Sequence, residues 1–160
     1  MAAPTLRISG TVHDSIVDGP GLRYVVFTQG CPHQCAGCHN PHTHDPSGGK
    51  AVTLDTLVAD LLSNPLTDGL TLTGGEPFAQ PDACAILARA AKTAGQNVWC
   101  YTGYTLEALR TMPEMAVLLA EIDVLVDGPY IEAARSLTLS WRGSENQRVI
   151  PLTEQGERCL

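Results

Sequence analysis

Apolar and β-branched residues fall along this chain in short dense runs separated by longer amphipathic stretches. Residues 22–28 (LRYVVFT) are rich in aromatic and β-branched side chains and predict a strand that runs into Gly30 and Cys31. From 32 to 50 the composition turns to His, Pro, Gly, Asn and Ser, the signature of a long loop. Leu54, Leu57, Val58, Leu61 and Leu62 then recur at the spacing of one helical face. Thr53 is its expected N-cap, and Asn64-Pro65 its stop. A short strand over 70–73 leads into Gly74-Gly75, an alanine-rich helix over 82–94 ends at Gly95, and 98–101 is the next strand. Helical stretches over 106–111 and 114–121 flank Pro113, and the apolar run 122–126 (IDVLV) predicts a further strand.

Strands alternating with helices imply βαβ crossovers and an α/β fold with a mainly parallel sheet. The runs VVF, LTL, VWCY and VLV suit strands buried on both faces. Gly30-Cys31, Gly74-Gly75-Glu76, Thr102-Gly103 and Asp127-Gly128 follow the expected strand ends, where parallel α/β proteins place their ligands. The chain has 160 residues, which fits one domain over 1–160. A closed eight-unit barrel needs roughly 250 residues, so an open partial (βα) barrel is expected.

Composition narrows the function classes. A net charge of −7 argues against a broad footprint on nucleic acid or an anionic membrane. Neither a secretory signal nor an apolar run near the roughly 18 residues of a membrane span is visible, so a cytoplasmic location is expected. In such a reducing compartment six cysteines read as ligands, catalysts or small core residues rather than disulfides.

Three of them stand together. Cys31-Pro-His-Gln-Cys35-Ala-Gly-Cys38 gives Cys-x3-Cys-x2-Cys on a loop after a strand. Three thiolates can hold three corners of a cubane and leave the fourth iron open, whereas ferredoxin-type carriers fill that corner with a fourth cysteine. The competing reading is a zinc knuckle completed by His39, His42 or His44.

The cysteine spacing resembles the signature of the radical S-adenosylmethionine (SAM) superfamily, although Gly37 stands where many members carry an aromatic residue. Leu72-Thr73-Gly74-Gly75-Glu76-Pro77 resembles the same family's Gly-Gly-Glu motif. Asp18-Gly19-Pro20-Gly21-Leu22-Arg23 and Cys38-His39-Asn40-Pro41 are similar to the glycyl-radical-enzyme activases. Trp99 to Tyr104, Asp123 to Tyr130 and Trp141 to Arg148 are similar to the branch acting on the anaerobic ribonucleoside-triphosphate reductase.

The resemblance implies a partial barrel of the radical SAM type, one 4Fe-4S cluster on Cys31, Cys35 and Cys38, and SAM chelating the open iron. Gly74, Gly75 and Glu76 would meet the SAM methionyl end; Thr102 and Asp127 would line the pocket; Asn146 and Arg148 would hold the SAM carboxylate or ribose, or dock the partner. One electron from reduced flavodoxin or a similar donor would cleave SAM to methionine and a 5′-deoxyadenosyl radical. That radical would take a hydrogen atom from a glycine of the reductase catalytic subunit. The alternatives are an activase of another glycyl radical enzyme, a small-molecule radical SAM enzyme, and a non-catalytic iron–sulfur or zinc module.

Blander readings stand beside several of these residues. Asp127 also reads as a turn residue, Arg148 as part of a solvated face, and Asp18 to Arg23 as a bare hairpin entry rather than a partner-facing loop. His33, His39, His42 and His44 crowd the cysteine loop and read either as hydrogen-bond donors to sulfur or, more plainly, as polar loop groups. Cys84 and Cys100 read as small core residues, and Cys159 as incidental at a frayed terminus.

Overall fold

The computed structural model describes residues 3–33, 35–38 and 40–160. Its strands are β1 (Thr5–Ser15), β2 (Arg23–Thr28), β3 (Lys50–Thr53), β4 (Gly69–Gly74), β5 (Asn97–Tyr101), β6 (Val124–Asp127) and β7 (Arg148–Pro151). They form one seven-stranded sheet in the order β3-β1-β2-β4-β5-β6-β7. The helices are α1 (Leu54–Leu61), α2 (Pro81–Thr93), α3 (Leu106–Arg110), α4 (Ala116–Leu119) and α5 (Glu154–Arg158).

The sheet has a parallel centre and antiparallel flanks. β2, β4, β5 and β6 pair in parallel, but β1 runs antiparallel to both β2 and β3, and β7 antiparallel to β6. The parallel centre needs helical crossovers, whereas β1 returns to β2 through residues 16–22 and β6 to β7 through residues 128–147. The sequence pattern is weak in those flanks. In β1 only Leu6 and Ile8 are buried apolar residues, Val12 is 43% exposed, and the pairing slips twice against β2. β3 and β7 have four residues each, too few to show a period.

Alternation along the central strands sorts the sheet into two unlike faces. Leu70 and Leu72, Val98 and Cys100, and Leu125 join Leu57, Leu61, Leu87, Ala88, Ala91 and Leu118 in the main core. Each such leucine contributes about 1.5–3 kcal/mol relative to exposure. Small residues on α2 let it sit against both the sheet and its neighbours. Thr53 caps α1 by accepting the Thr56 N–H, as the sequence predicts. Gly95 takes φ +82° beyond α2 and donates its N–H to Lys92. Leu62, placed on the buried stripe by spacing, is instead 47% exposed because α1 has already ended.

On the opposite face the expected two-sided apolar burial gives way to a second, smaller cluster. Trp99, Val124 and Val126 pack there with Tyr101, Trp141, Val149 and Cys159. Cys159 is therefore a packing residue, not an incidental one. The same face carries buried Arg23, which donates to Thr71 Oγ1 (2.7 Å), Leu70 O (2.8 Å) and Pro20 O (3.0 Å) and lies 5.7 Å from the Trp99 ring centroid. Burial lowers its pKa from the ordinary guanidinium value to about 10. Among the described residues no helix is long and apolar enough to cross a membrane.

Asp123 ties α2, β5 and the C-terminal segment together. Its buried carboxylate accepts from Val98 N–H and Lys92 Nζ (both 2.8 Å) and from Thr153 Oγ1 (2.7 Å). Asp123→Ala leaves the Val98 N–H without an acceptor and should cost about 3 kcal/mol, read as a lower urea midpoint at unchanged slope. A midpoint equal to wild type would show that water replaces the carboxylate.

Candidate active site

The polar segments at the carboxyl ends of β2, β4, β5 and β6 surround one cavity of about 390 Å3. That is within the size range of small-molecule sites. Cys31, Cys35 and Cys38 all border it, each partly exposed. Gly74, Gly75 and Thr102 also border it.

The cysteine loop leaves β2 through Gly30, whose N–H donates to Thr43 O (2.6 Å), while Cys31 N–H donates to His44 O (3.1 Å). The loop's return is fixed by Asn40 N–H donating to Cys38 Sγ (3.4 Å) and Cys38 N–H to Cys35 O (3.2 Å). Gly37 has φ +73°, and a Cβ there would lie 2.8 Å from the Glu132 carboxyl carbon. The left-handed backbone disfavours any larger side chain at that position, and the exposed Glu132 would have to swing aside for one. His39, one of the histidines weighed as a zinc ligand, lies outside the described residues.

Gly74 and Gly75 are required by packing as much as by any ligand. Gly74 has φ +94° and faces the β2 backbone, where a Cβ would meet Thr28 N at 2.6 Å. A Cβ on Gly75 would meet the Gly30 carbonyl oxygen at 2.4 Å. The strand end therefore rests directly on the base of the cysteine loop, and Glu76 N–H donates to Gly30 O (2.8 Å).

The Glu76 side chain turns inward and is fully buried. Its carboxylate accepts from Thr102 Oγ1 (2.8 and 3.0 Å), Gly103 N–H (2.8 Å) and Phe78 N–H (3.1 Å), and lies 2.5 Å from His33 Nε2. Protein groups fill both oxygens. Glu76 is thus set behind the cavity wall, with its carboxylate held in this network.

A strap over 128–147 covers the far side of the cavity. Ser144 is buried and bridges to Arg135, Gln147 Nε2 donates to Gly128 O (3.1 Å), and Asn146 Nδ2 donates to Pro129 O (2.8 Å). Trp141 takes φ +68°, which costs a side-chain-bearing residue about 1–2 kcal/mol. Its ring sits edge-on to Trp99 at 5.8 Å. The next residue, Arg142, borders the cavity. Arg142 Nη1 donates to Gln147 O (3.1 Å), but its buried Nε has no partner. His44 Nε2, on the same wall, is likewise buried without a partner.

Buried polar atoms normally have partners, so these two unpartnered nitrogens, on residues bordering one cavity, suit a ligand that carries hydrogen-bond acceptors. Among the described residues no three His, Cys, Asp or Glu side chains form a ready single-metal site. A cubane asks for a different arrangement, three thiolates each on its own iron. The three cysteines and the adjoining glycine wall fit that demand.

The family model for a 4Fe-4S single cluster domain matches residues 17–150. The anaerobic ribonucleoside-triphosphate reductase-activating protein of Vibrio cholerae is 40% identical over 140 residues, covering 82% of this chain and 89% of that one. Its namesake from Salmonella typhi is 38% identical over 142 residues, 84% and 91% of the two chains. That of Enterobacteria phage T4 is 36% identical over 139 residues, 83% and 86%. The chain belongs to this family of activating proteins.

Within this family member the cavity gathers Cys31, Cys35, Cys38, Gly74, Gly75 and Thr102, whereas Glu76, Asp127, Asn146 and Arg148 lie outside its lining. Asp127 and Arg148 are register partners across β6 and β7. The Asp127 carboxylate accepts from Arg148 Nε (3.0 Å) and from Leu106 N–H at the start of α3 (2.8 Å). Arg148 also donates to both Glu107 oxygens (2.9 and 2.6 Å), which holds the Glu107 carboxyl down at about 2. Asp127 and Arg148 are therefore paired with each other outside the cavity lining, and Asn146 pins the strap. Sequence reasoning missed Arg142 and passed over His33. The stretch from Trp141 to Arg148 held the signal, but only the β6–β7 register separates its two arginines.

Cys84 and Cys100 lie in the helix-side core, where burial raises both thiols well above the ordinary value. Iodoacetamide applied to the reduced, metal-free protein should label Cys31, Cys35 and Cys38 and spare Cys84 and Cys100 until unfolding. Mass spectrometry reads the sites directly, and equal labelling of Cys100 and Cys35 would contradict the assignment.

Proposed function

We propose that this chain is a radical SAM activase that generates a glycyl radical on the anaerobic ribonucleoside-triphosphate reductase. The carrying observation is a single cavity shared by three cysteines and the Gly74-Gly75 strand end, in a member of the activating-protein family. When bound, the 4Fe-4S cluster and SAM supply one-electron reductive cleavage of the sulfonium and hydrogen-atom abstraction from the target glycine.

The chain's own residues bind, orient and shield. Cys31, Cys35 and Cys38 supply three thiolates, and the buried Cys84 and Cys100 stand in the core on the other side of the sheet. The fourth iron is thereby left for the cosubstrate. Gly74 and Gly75 offer backbone without side chains to the methionyl end, and Thr102 adjoins them. Arg142 is the one Lys or Arg among the described residues bordering the cavity, and its unpartnered Nε suits the SAM carboxylate. Tyr101 and Trp141 wall the space against water.

Val17 and Asp18, from the loop between β1 and β2, reach the cavity rim, and Ile16 and Val17 are 71% and 73% exposed. This rim suits entry of the reductase's glycine-bearing segment. Cys31 also borders a second cavity of about 610 Å3 with Arg7 and Gln80, a route by which reduced flavodoxin or a similar donor can approach. Among the described residues no disulfide links the cysteines, which suits a reducing cytoplasm. Helices on one face of the parallel strands and the ligand cavity on the other suit an open partial barrel of the radical SAM type.

Anaerobically reconstituted protein with SAM and reductant should release 5′-deoxyadenosine. With the reductase catalytic subunit added, a glycyl radical doublet should appear by electron paramagnetic resonance (EPR). Bound zinc without SAM cleavage would sink the proposal. Arg142→Ala should weaken SAM binding roughly 10- to 100-fold, the worth of one charge-assisted hydrogen bond. Arg148→Ala should lower the melting temperature and leave SAM affinity near wild type. Calorimetric titration separates the two; equal affinities for both variants would remove Arg142 from the site.

A further inference from the structure

His33 is not one of the cysteines, yet it joins their loop to the rest of the cavity wall. It sits between Cys31 and Cys35, with its side chain only 16% exposed. Its Nε2 lies 2.5 Å from Glu76 Oε1, and its ring stands edge-on to Tyr104 at 4.6 Å. The ring also covers Gly103 so closely that a Cβ there would fall 2.4 Å from His33 Cδ2. The same Glu76 carboxylate accepts from Thr102 and Gly103, at the end of β5. One buried carboxylate thus gathers the cysteine loop, the β4 end and the β5 end.

We infer that His33 is a positioning residue which, through Glu76, sets the register between the cluster and the SAM-binding wall. This rests on the radical SAM reading above. The cysteines fix the cluster to its loop, but nothing in the thiolates fixes that loop relative to Gly74, Gly75 and Thr102. The contacts that do so are backbone hydrogen bonds at Gly30 and the His33–Glu76 contact. Chelation of the open iron by SAM needs two sites in register, the cluster on one wall and the methionyl site on another. Displacements of about 1 Å in such arrangements cost orders of magnitude. His33 therefore acts on SAM engagement and not on iron loading.

The test uses the anaerobically reconstituted holoprotein. His33→Phe keeps the ring packing on Gly103 and Tyr104 but cannot hydrogen-bond Glu76. It should load iron and sulfide as wild type does, yet bind SAM about 10- to 100-fold more weakly, the usual cost of losing such a supporting contact. The change in the reduced-cluster EPR signal on SAM addition should shrink or vanish. His33→Gln, which retains an N–H donor, should restore part of both. His33→Phe combined with Glu76→Gln should be no worse than the more severe single variant, since both break one contact. Wild-type SAM affinity and EPR response in His33→Phe would overturn the inference, as would loss of iron from it with its fold intact. Should His33→Phe not fold, His33→Gln decides: a folded variant whose SAM affinity and EPR response fall below even the Glu76→Gln level would overturn it. A wild-type protein that loads its cluster and ignores SAM would instead overturn the radical SAM reading itself.

Discussion

The site depends on how closely the end of β4 approaches the start of the cysteine loop. Gly75 lies against the Gly30 carbonyl with no space for a Cβ, and the Glu76 N–H closes a hydrogen bond to that carbonyl. The parallel pairing of β2 with β4 runs to Thr28 opposite Gly74, so both strands release their chains at the same level. A side chain at either glycine would push the loop away from the sheet. The distance between a cluster on that loop and a ligand on the strand end is therefore set by backbone contact, the stiffest means a protein has.

Charge is arranged around this contact so that the cavity keeps its polar capacity. The carboxylates around it make bonds within the protein: Asp18 at the rim accepts from Ser15 Oγ, Glu76 meets Thr102, Gly103, Phe78 and His33, and Asp127 meets Arg148 and the start of α3. Arg142 and His44 each keep a buried nitrogen unpartnered on the wall. Unpaired donors at the cavity edge are suited to a ligand that carries hydrogen-bond acceptors. Arg23, buried beneath, satisfies its guanidinium on a threonine and two backbone carbonyls and ties the β1–β2 loop to β4.

The strap over 128–147 completes the enclosure through aromatic packing. Trp99 lies between Arg23 and Trp141, so a column of contacts runs from the sheet's inner face to the strap. Trp141 holds its unfavourable backbone conformation against that ring, and Arg142 follows it at the cavity edge. The strain is local and sits beside the ligand space, a common place for it in binding sites.

Local chemistry determined much of this protein. The helix from Leu54 capped by Thr53, the alanine-rich α2 with Gly95 behind it, and the four central strands are legible because their period, caps and stops lie within a few residues of each other. The three-cysteine loop and the paired glycines are legible for the same reason, since spacing alone marks them. The flanking strands β1, β3 and β7 are not, because each is stabilised by pairing with a distant segment rather than by its own pattern. The arginines of the last motif show the limit most clearly. Arg148 and Arg142 are equivalent as sequence, and only the antiparallel register that sets Arg148 opposite Asp127 leaves Arg142 for the cavity. The burial of Glu76 and its contact with His33 were likewise decided by the tertiary structure, which brings the ends of three separated segments to within hydrogen-bonding distance of one carboxylate.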